Sequence, residues 1–289
     1  MVKKTDLKDS CACCDVINCI NLFRKYDDDK SVGGELYLYK QLSHSRIENE
    51  ELSTYVCSNG RLFECACFIT NTLNELFPDD YVIKVSNETV RDMKASFYLA
   101  MSGHYRQAVI IQRCVFENFL YGLYFSTEYQ KFSKNNEEKE EIQRKFHSWI
   151  DGRFRKSDTY LRDIIQRGGV ISKKENKSWG TLFNELSQFL HTILKTPTGK
   201  TIKHENAEIK SCYSDVEFNK DSLMEWSKYY QRLFFLILYK LISLYPVVKK
   251  EEAGKLALKL LRAEFRDKRR ELNNQYLDDI LNMRIKKTD

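Results

Sequence analysis

Glycine and proline are scarce in this chain. Its 289 residues include 11 Gly and 3 Pro, whereas average usage predicts roughly 20 and 14. Because these two residues are the usual interrupters of helices, their scarcity favours long helices. It argues against β-sandwiches, propellers and doubly wound sheets. The length corresponds to one large domain or two small ones.

Apolar runs long enough to cross a bilayer are absent from the sequence. The longest run, Leu233–Tyr245, is interrupted by Lys240 and is shorter than the roughly 20 residues that a transmembrane helix needs. The polar segment Met1–Ser10 does not resemble a secretory signal. We therefore expect a soluble, cytoplasmic protein without membrane contact, in which the nine cysteines are mostly free thiols or metal ligands.

Common enzyme signatures are also missing. The sequence contains no G-x-x-x-x-G-K-[ST] and no G-x-G-x-x-G loop, which argues against the usual ATPases and dinucleotide oxidoreductases. It contains no G-x-S-x-G and no H-E-x-x-H motif, which argues against α/β-hydrolases and zincins. With five His in total, few side chains can serve in acid–base catalysis near neutral pH.

Helical periodicity is strongest in the middle of the chain. Thr89–Met101 and His104–Phe125 are expected to form two antiparallel helices joined at Ser102-Gly103, since apolar residues of the second segment recur at helical spacing. Further helices are expected over Arg61–Phe77, Glu137–Ile150, Asp158–Gln166, Leu182–Leu194, Leu223–Tyr245 and Glu251–Arg284.

These elements predict an all-α fold, a helical bundle with a small Cys-rich N-terminal region and a long charged C-terminal helix. Residues 1–86 are expected to contain the Cys-rich region with mixed short elements. Those elements include a turn at Asn59-Gly60 and a short strand at Tyr81–Val85. Residues 87–246 are expected to form the bundle, and residues 247–289 the charged C-terminal helix.

The predicted C-terminal helix combines an apolar seam with many basic residues. Residues 249–289 contain 12 Lys+Arg against 8 Asp+Glu, so this segment carries most of the net charge. One interpretation is a helix with a solvated charged face that packs on the bundle or on a second copy. The other is a basic arm that contacts phosphates. The candidate nucleic-acid-binding residues are Arg262, Arg266, Arg269 and Arg270.

The cysteines are concentrated near the N-terminus. Four soft ligands in tetrahedral geometry suit zinc, and the weak candidates are Cys11, Cys14, Cys65 and Cys67. No C-x2-C pair is present, and the two cysteines at 65 and 67 would point to different sides of a helix. Buried, small apolar residues are therefore the preferred interpretation, and no cofactor is expected.

Two predicted helices carry polar residues in apolar surroundings. Arg113 and Glu117 are one helical turn apart within AVIIQRCVFENFLYGLYF. Two charges in such a helix must pair with each other or face a cleft, because an unpaired buried charge is very costly. On the second helix, a polar stripe consists of Asn184, Ser187, Gln188 and His191. The histidine on this stripe is a candidate general acid or base.

The segments GHYRQAVIIQRCVFENFLYGLYF (103–125) and NELSQFLHT (184–192) resemble a group of bacterial all-helical proteins related to HEPN domains and to abortive-infection proteins. The resemblance covers about residues 88–245 as an architecture and two short motifs in detail. The matching positions are Gly103, Tyr105, Ala108, Arg113, Glu117, Leu186, Ser187, Phe189 and His191.

This resemblance implies an RNA-directed effector or toxin of bacterial antiviral defence, acting as a homodimer and as a metal-independent endoribonuclease. In HEPN ribonucleases an Arg precedes a His with four to six residues between them. No His of this chain has an Arg in that window, and Asn184 stands at this place before His191. Arg113 on another helix is the candidate replacement, which makes the expected site a composite one.

The catalytic hypothesis assigns a role to each polar residue. Arg113 would hold the phosphate, Glu117 would orient it and His191 would transfer protons, with Asn184 and Ser187 completing the site. The alternative is a non-catalytic helical sensor or antitoxin-like module that binds protein or nucleic acid through the C-terminal helix. The absent Arg-to-His motif favours this alternative. A third interpretation is a zinc-stabilised N-terminal recognition module.

Overall fold

The computed structural model confirms the all-α class. It describes residues 50–101, 103–131, 136–191, 220–268, 272 and 274–283, and none of these forms a strand. The helices are α1 (Glu50–Leu76), α2 (Tyr81–Met101), α3 (Tyr105–Lys131), α4 (Asn136–Ile150), α5 (Asp158–Arg167), α6 (Lys173–His191), α7 (Lys220–Leu244), α8 (Glu252–Phe265) and α9 (Gln275–Asn282), with a 3-10 turn at Pro246–Lys249. The predicted Cys-rich segment before residue 50 lies outside the described residues.

Helices α2 and α3 form the predicted antiparallel hairpin. The turn between them contains Gly103, whose φ of 82° is the left-handed conformation that glycine adopts without strain. Across the pair, the Ser96 hydroxyl donates to the Ala108 carbonyl (2.8 Å) and accepts from the Trp226 indole of α7 (3.0 Å). The buried polar groups of the hairpin thus also position α7.

Two central helices organise the core. Helix α3 packs against α2, α4, α5, α6 and α7, and α7 packs in addition against α1 and α9. The apolar run of α7 is buried, and so are the indoles of Trp179 and Trp226. Within the described parts of the chain, no helix is both long and apolar enough to cross a membrane.

The predicted strand at Tyr81–Val85 is wrong, because these residues begin α2. The Asp80 carboxylate accepts from the Val82 N–H (2.8 Å) and satisfies one of the free donors at the start of the helix. Most side chains of this first part of α2 are buried. An apolar run buried on most sides has no period that distinguishes strand from helix. The core continues across residue 86, since Ser86 is fully buried.

The predicted turn at Asn59-Gly60 is also wrong, because both residues lie within α1. The Asn59 side chain is buried. Its amide nitrogen donates to the Ser227 hydroxyl (2.8 Å), and its side-chain oxygen accepts from the Gln231 amide (2.8 Å). Asn favours turns because its side chain competes for the local backbone. Here two residues of α7 satisfy that side chain, and the helix continues.

The single C-terminal helix expected over Glu251–Arg284 is interrupted, since among the described residues α8 ends at Phe265 and α9 begins at Gln275. The Asn274 side chain accepts from the N–H groups of Tyr276 and Leu277 (2.9 and 3.2 Å), which caps a new helix. The predicted seam faces the core, as expected for a helix that packs on the bundle. Its buried members are Leu258, Leu261, Phe265, Tyr276 and Ile280.

Candidate functional site

Arg113 and Glu117 form the predicted ion pair on α3. Their side chains meet at 2.8 Å and are 23% and 33% exposed, so the pair lies at the surface of the bundle rather than inside it. An ion pair in this position stabilises a helix only slightly. Its main consequence is that the guanidinium is held in one place while part of the side chain remains accessible to solvent.

Helix α6 supplies a second set of contacts to Arg113. The guanidinium donates from Nε to the Ser187 hydroxyl (3.3 Å) and lies 4.9 Å from the ring centre of Phe183, a cation–π distance. The Ser187 hydroxyl in turn donates to the Phe183 carbonyl (2.7 Å). Three of the predicted site residues, Arg113, Glu117 and Ser187, therefore come together from two helices.

The other two predicted site residues lie on α6 as well. Asn184 is exposed, and no described contact joins it to Arg113. His191 is the last residue of α6, one turn after Ser187, and its side chain lies outside the described residues. The Arg106 side chain donates to the Phe189 carbonyl (3.0 Å), so the end of α6 packs near the start of α3. That the His191 side chain lies close to Arg113 stays a prediction.

A thiol and a further carboxylate adjoin the ion pair. Cys114 is exposed. Partial burial raises its pKa, the Arg113 cation opposes that increase, and the Glu117 and Asp92 carboxylates add to it. Asp92 itself has a raised pKa because of partial burial and the nearby Glu88 carboxylate. Cys114 therefore lies in the electric field of Arg113 and of two carboxylates, Glu117 and Asp92.

The predicted metal ligands do not form a cluster in the part of the chain that the structure covers. Cys65 is fully buried, and its thiol donates to the Ala257 carbonyl of α8 (3.5 Å). Burial, with the neighbouring Glu64 carboxylate, raises the pKa of Cys65 well above its usual value, which disfavours the thiolate that zinc requires. Cys11 and Cys14 lie outside the described residues. No group of three or more potential metal ligands occurs among the described side chains.

The basic residues predicted to bind nucleic acid divide into two groups. Arg262 donates from Nε to the Leu281 carbonyl (3.4 Å) and from Nη2 to the Met283 carbonyl. Burial and the neighbouring Arg266 lower the pKa of Arg262, and its contacts join α8 to the end of α9. Arg266 is exposed. Arg269 and Arg270 lie outside the described residues.

A basic loop between α4 and α5 was not predicted as a functional surface. Its backbone is held at both ends. The N–H groups of Arg153 and Phe154 both donate to the Ser148 carbonyl (2.8 and 3.0 Å). The Tyr121 hydroxyl of α3 accepts from the Lys156 N–H (2.7 Å) and donates to the Lys156 carbonyl (3.1 Å).

Of residues 153–157, only Phe154 is partly buried, and the others are exposed. The Phe154 ring stacks on Tyr124 with ring centres 6.2 Å apart, whereas Arg155 and Lys156 are exposed. The signal in the sequence was the run Arg-Phe-Arg-Lys directly after a glycine. This run is too short to show a helical or strand periodicity. Only its position beside α3 in the fold indicates a functional surface.

Comparison of the chain with protein-family models, with curated proteins and with solved structures found no match.

Proposed function

We propose that this chain is an RNA-directed effector of the HEPN-like, abortive-infection type, with a phosphodiester-binding site centred on Arg113. The observation that carries the proposal is the guanidinium fixed between Glu117, Ser187 and Phe183 and still partly exposed. Guanidinium groups bind phosphate in a defined geometry, and a group already oriented binds at a lower entropic cost. The resemblance noted in the sequence supplies the choice of RNA.

The proposed chemistry is metal-independent cleavage of an RNA strand. His191 accepts the proton of a 2′-hydroxyl, whose oxygen attacks the adjacent phosphorus. The bond to the 5′-oxygen breaks, which leaves a 2′,3′-cyclic phosphate, and the leaving oxygen takes up a proton from water. Arg113 stabilises the charge on the phosphate, and Glu117 orients Arg113. Ser187 positions the same guanidinium through its hydroxyl, and the exposed Asn184 lies one turn earlier on α6. Two such sites would face each other in a homodimer.

Expression in a bacterial host, followed by growth and by total RNA, tests this proposal. The wild-type protein is expected to arrest growth with RNA breakage, and Arg113→Ala and His191→Ala are expected to abolish both. Arg144→Ala is the matched control, because Arg144 is an exposed arginine on α4. Breakage that persists at the wild-type level in both site variants would contradict the catalytic proposal.

A non-catalytic sensor or antitoxin-like module is the second candidate function. It is favoured by the ion pair itself, since Glu117 already neutralises Arg113, and by the absence of the Arg-to-His motif. Such a module would bind RNA or a protein partner without cleaving RNA. Intact RNA after expression, together with RNA binding by the purified protein that Arg113→Ala weakens, would favour this second function.

A further inference from the structure

The loop between α4 and α5 presents cationic side chains on a rigid backbone. Residues 153–157 contain three basic side chains and no acidic one. Arg153 pairs with Asp151, whereas Arg155 and Lys156 are exposed. Because the Tyr121 hydroxyl bonds both the N–H and the carbonyl of Lys156, the backbone that carries these charges is held in place. Little loop entropy is lost when a ligand binds to such a surface.

An exposed aromatic ring lies directly beside these charges. Tyr160 is 41% exposed, one of few large apolar or aromatic side chains so exposed in the described part of the chain. The Lys156 ammonium lies 5.1 Å from the Tyr160 ring centre and 5.6 Å from that of Phe154. The Tyr160 ring also lies 6.3 Å from the Tyr124 ring. The surface therefore combines the Lys156 ammonium with the exposed ring of Tyr160, next to the ring of Tyr124.

This surface and the proposed phosphate site both adjoin the same side of α3. Arg113, Glu117 and Tyr121 succeed one another at intervals of one turn on α3, so they lie on one side of that helix. Tyr121 contacts the loop and Arg113 contacts α6. At 1.5 Å per residue, the backbone positions of Arg113 and Tyr121 are about 12 Å apart along the helix axis. A short oligonucleotide can span that distance.

We propose that Arg155, Lys156 and Tyr160 bind single-stranded RNA on its way to Arg113. The two cations contact phosphates, and the Tyr160 ring stacks on a base. Base–aromatic stacking beside basic residues is typical of proteins that bind single strands. Bases in a duplex are already stacked on one another, so their faces are not open to such a ring. The inference rests on the proposed function, because it names the form of RNA that the Arg113 site receives.

Fluorescence anisotropy with the full chain tests the inference. The probe is a 5′-fluorescein 12-nucleotide poly-uridine RNA with 2′-O-methyl riboses, which lacks the 2′-hydroxyl that the proposed cleavage needs. A duplex of equal length with the same riboses is the comparison. Arg155→Ala/Lys156→Ala is expected to weaken single-strand binding at least ten-fold. It is also expected to reduce the slope of log Kd against log salt by about 1.4, because each of two lost phosphate contacts contributes about 0.7. Tyr160→Ala is expected to weaken binding about five-fold or more, and Tyr160→Phe is expected to retain it.

The matched control is Lys173→Ala/Lys177→Ala, which removes the same charge from two exposed residues of α6. Equal losses in the control and the loop variant, or equally tight binding of the duplex, overturn the inference. Loss of binding in Arg113→Ala with no effect of the loop variants overturns the inference alone. Failure of the wild-type chain to bind either RNA overturns both this inference and the proposed function.

Discussion

The Lys240 ammonium lies 2.6 Å from the Glu175 carboxylate, although the two residues belong to different helices. The lysine side chain is only 7% exposed, and it also donates to the Val170 carbonyl (2.9 Å). Lys240 interrupts the most apolar stretch of the chain. Its charge can be buried in α7 because the first turn of α6 supplies the opposite charge.

Lys240→Met is expected to lower the free energy of unfolding by about 2 to 3 kcal/mol, because it leaves a partly buried carboxylate without its cation. Urea unfolding followed by circular dichroism at pH 7 measures the change. Lys84→Met is the matched control, since the Lys84–Asp79 pair is exposed, and it is expected to change stability by less than about 0.5 kcal/mol. Equal stability of the Lys240→Met variant and the wild type would contradict this account of the pair.

The same ion pair predicts a pH dependence. Burial opposes ionisation of Glu175, but hydrogen bonds from Lys240 and Ser172 outweigh it, so the pKa of Glu175 lies below its usual value. A carboxyl with a lowered pKa in the folded state stabilises the protein above its unfolded pKa of about 4.3, and this stability is lost as the pH falls further. The loss of stability between pH 5 and pH 3, measured by urea unfolding, is therefore expected to be smaller in Glu175→Gln than in the wild type.

Two helical glycines are expected to respond to alanine in opposite directions. A Cβ at Gly254 would lie 1.9 Å from the Val248 carbonyl oxygen, a backbone atom of the 3-10 turn, whereas a Cβ at Gly60 would meet no atom within 4 Å. Gly254→Ala is expected to lower stability by about 3 kcal/mol. Gly60→Ala is expected to raise it by about 0.5 to 1 kcal/mol, because alanine favours a helix. Thermal unfolding distinguishes the two, and a stable Gly254→Ala variant would be inconsistent with the packing of α8 on this turn.

The reactivity of Cys114 reports the charges around Arg113 without any RNA. Partial burial raises the pKa of Cys114, Arg113 lowers it and Glu117 raises it. The midpoint of its alkylation rate between pH 7 and 10 is therefore expected to move upward in Arg113→Ala and downward in Glu117→Gln. Peptide mass spectrometry after N-ethylmaleimide treatment measures the rate. The buried Cys65 serves as the internal reference, and shifts of the same sign in both variants would contradict the geometry.

The contacts between α9 and the bundle include a buried hydrogen bond. The Trp179 indole N–H donates to the Tyr276 hydroxyl (2.8 Å), and the indole is fully buried. Tyr276→Phe leaves this donor without its acceptor and is expected to lower the free energy of unfolding by about 1 to 2 kcal/mol. Tyr160→Phe, at an exposed position, is expected to change it by less than about 0.5 kcal/mol. Urea unfolding provides the comparison, and unchanged stability in Tyr276→Phe would show that this bond contributes little.

Local sequence signals predicted most helices because their causes are local. Gly103 and Gly152 have positive φ where the chain was expected to break, and α7 ends before Pro246 as expected. The errors have two different causes. The turn prediction at Asn59-Gly60 failed because the partners of the Asn59 side chain lie on another helix, whereas the single C-terminal helix overlooked a local cap. Asn59 is satisfied by α7, and Asn274 caps a new helix.

The sequence by itself determined the all-α class, the α2–α3 hairpin and the position of Arg113 and Glu117 on one face of a helix, since each follows from local spacing. Only the tertiary structure decided that Ser187 meets Arg113 while Asn184 faces solvent, and that the basic loop adjoins α3. Spacing shows which side chains share a face of one helix. It does not show how two helices are rotated and offset when they pack, because that depends on the fit of the whole core.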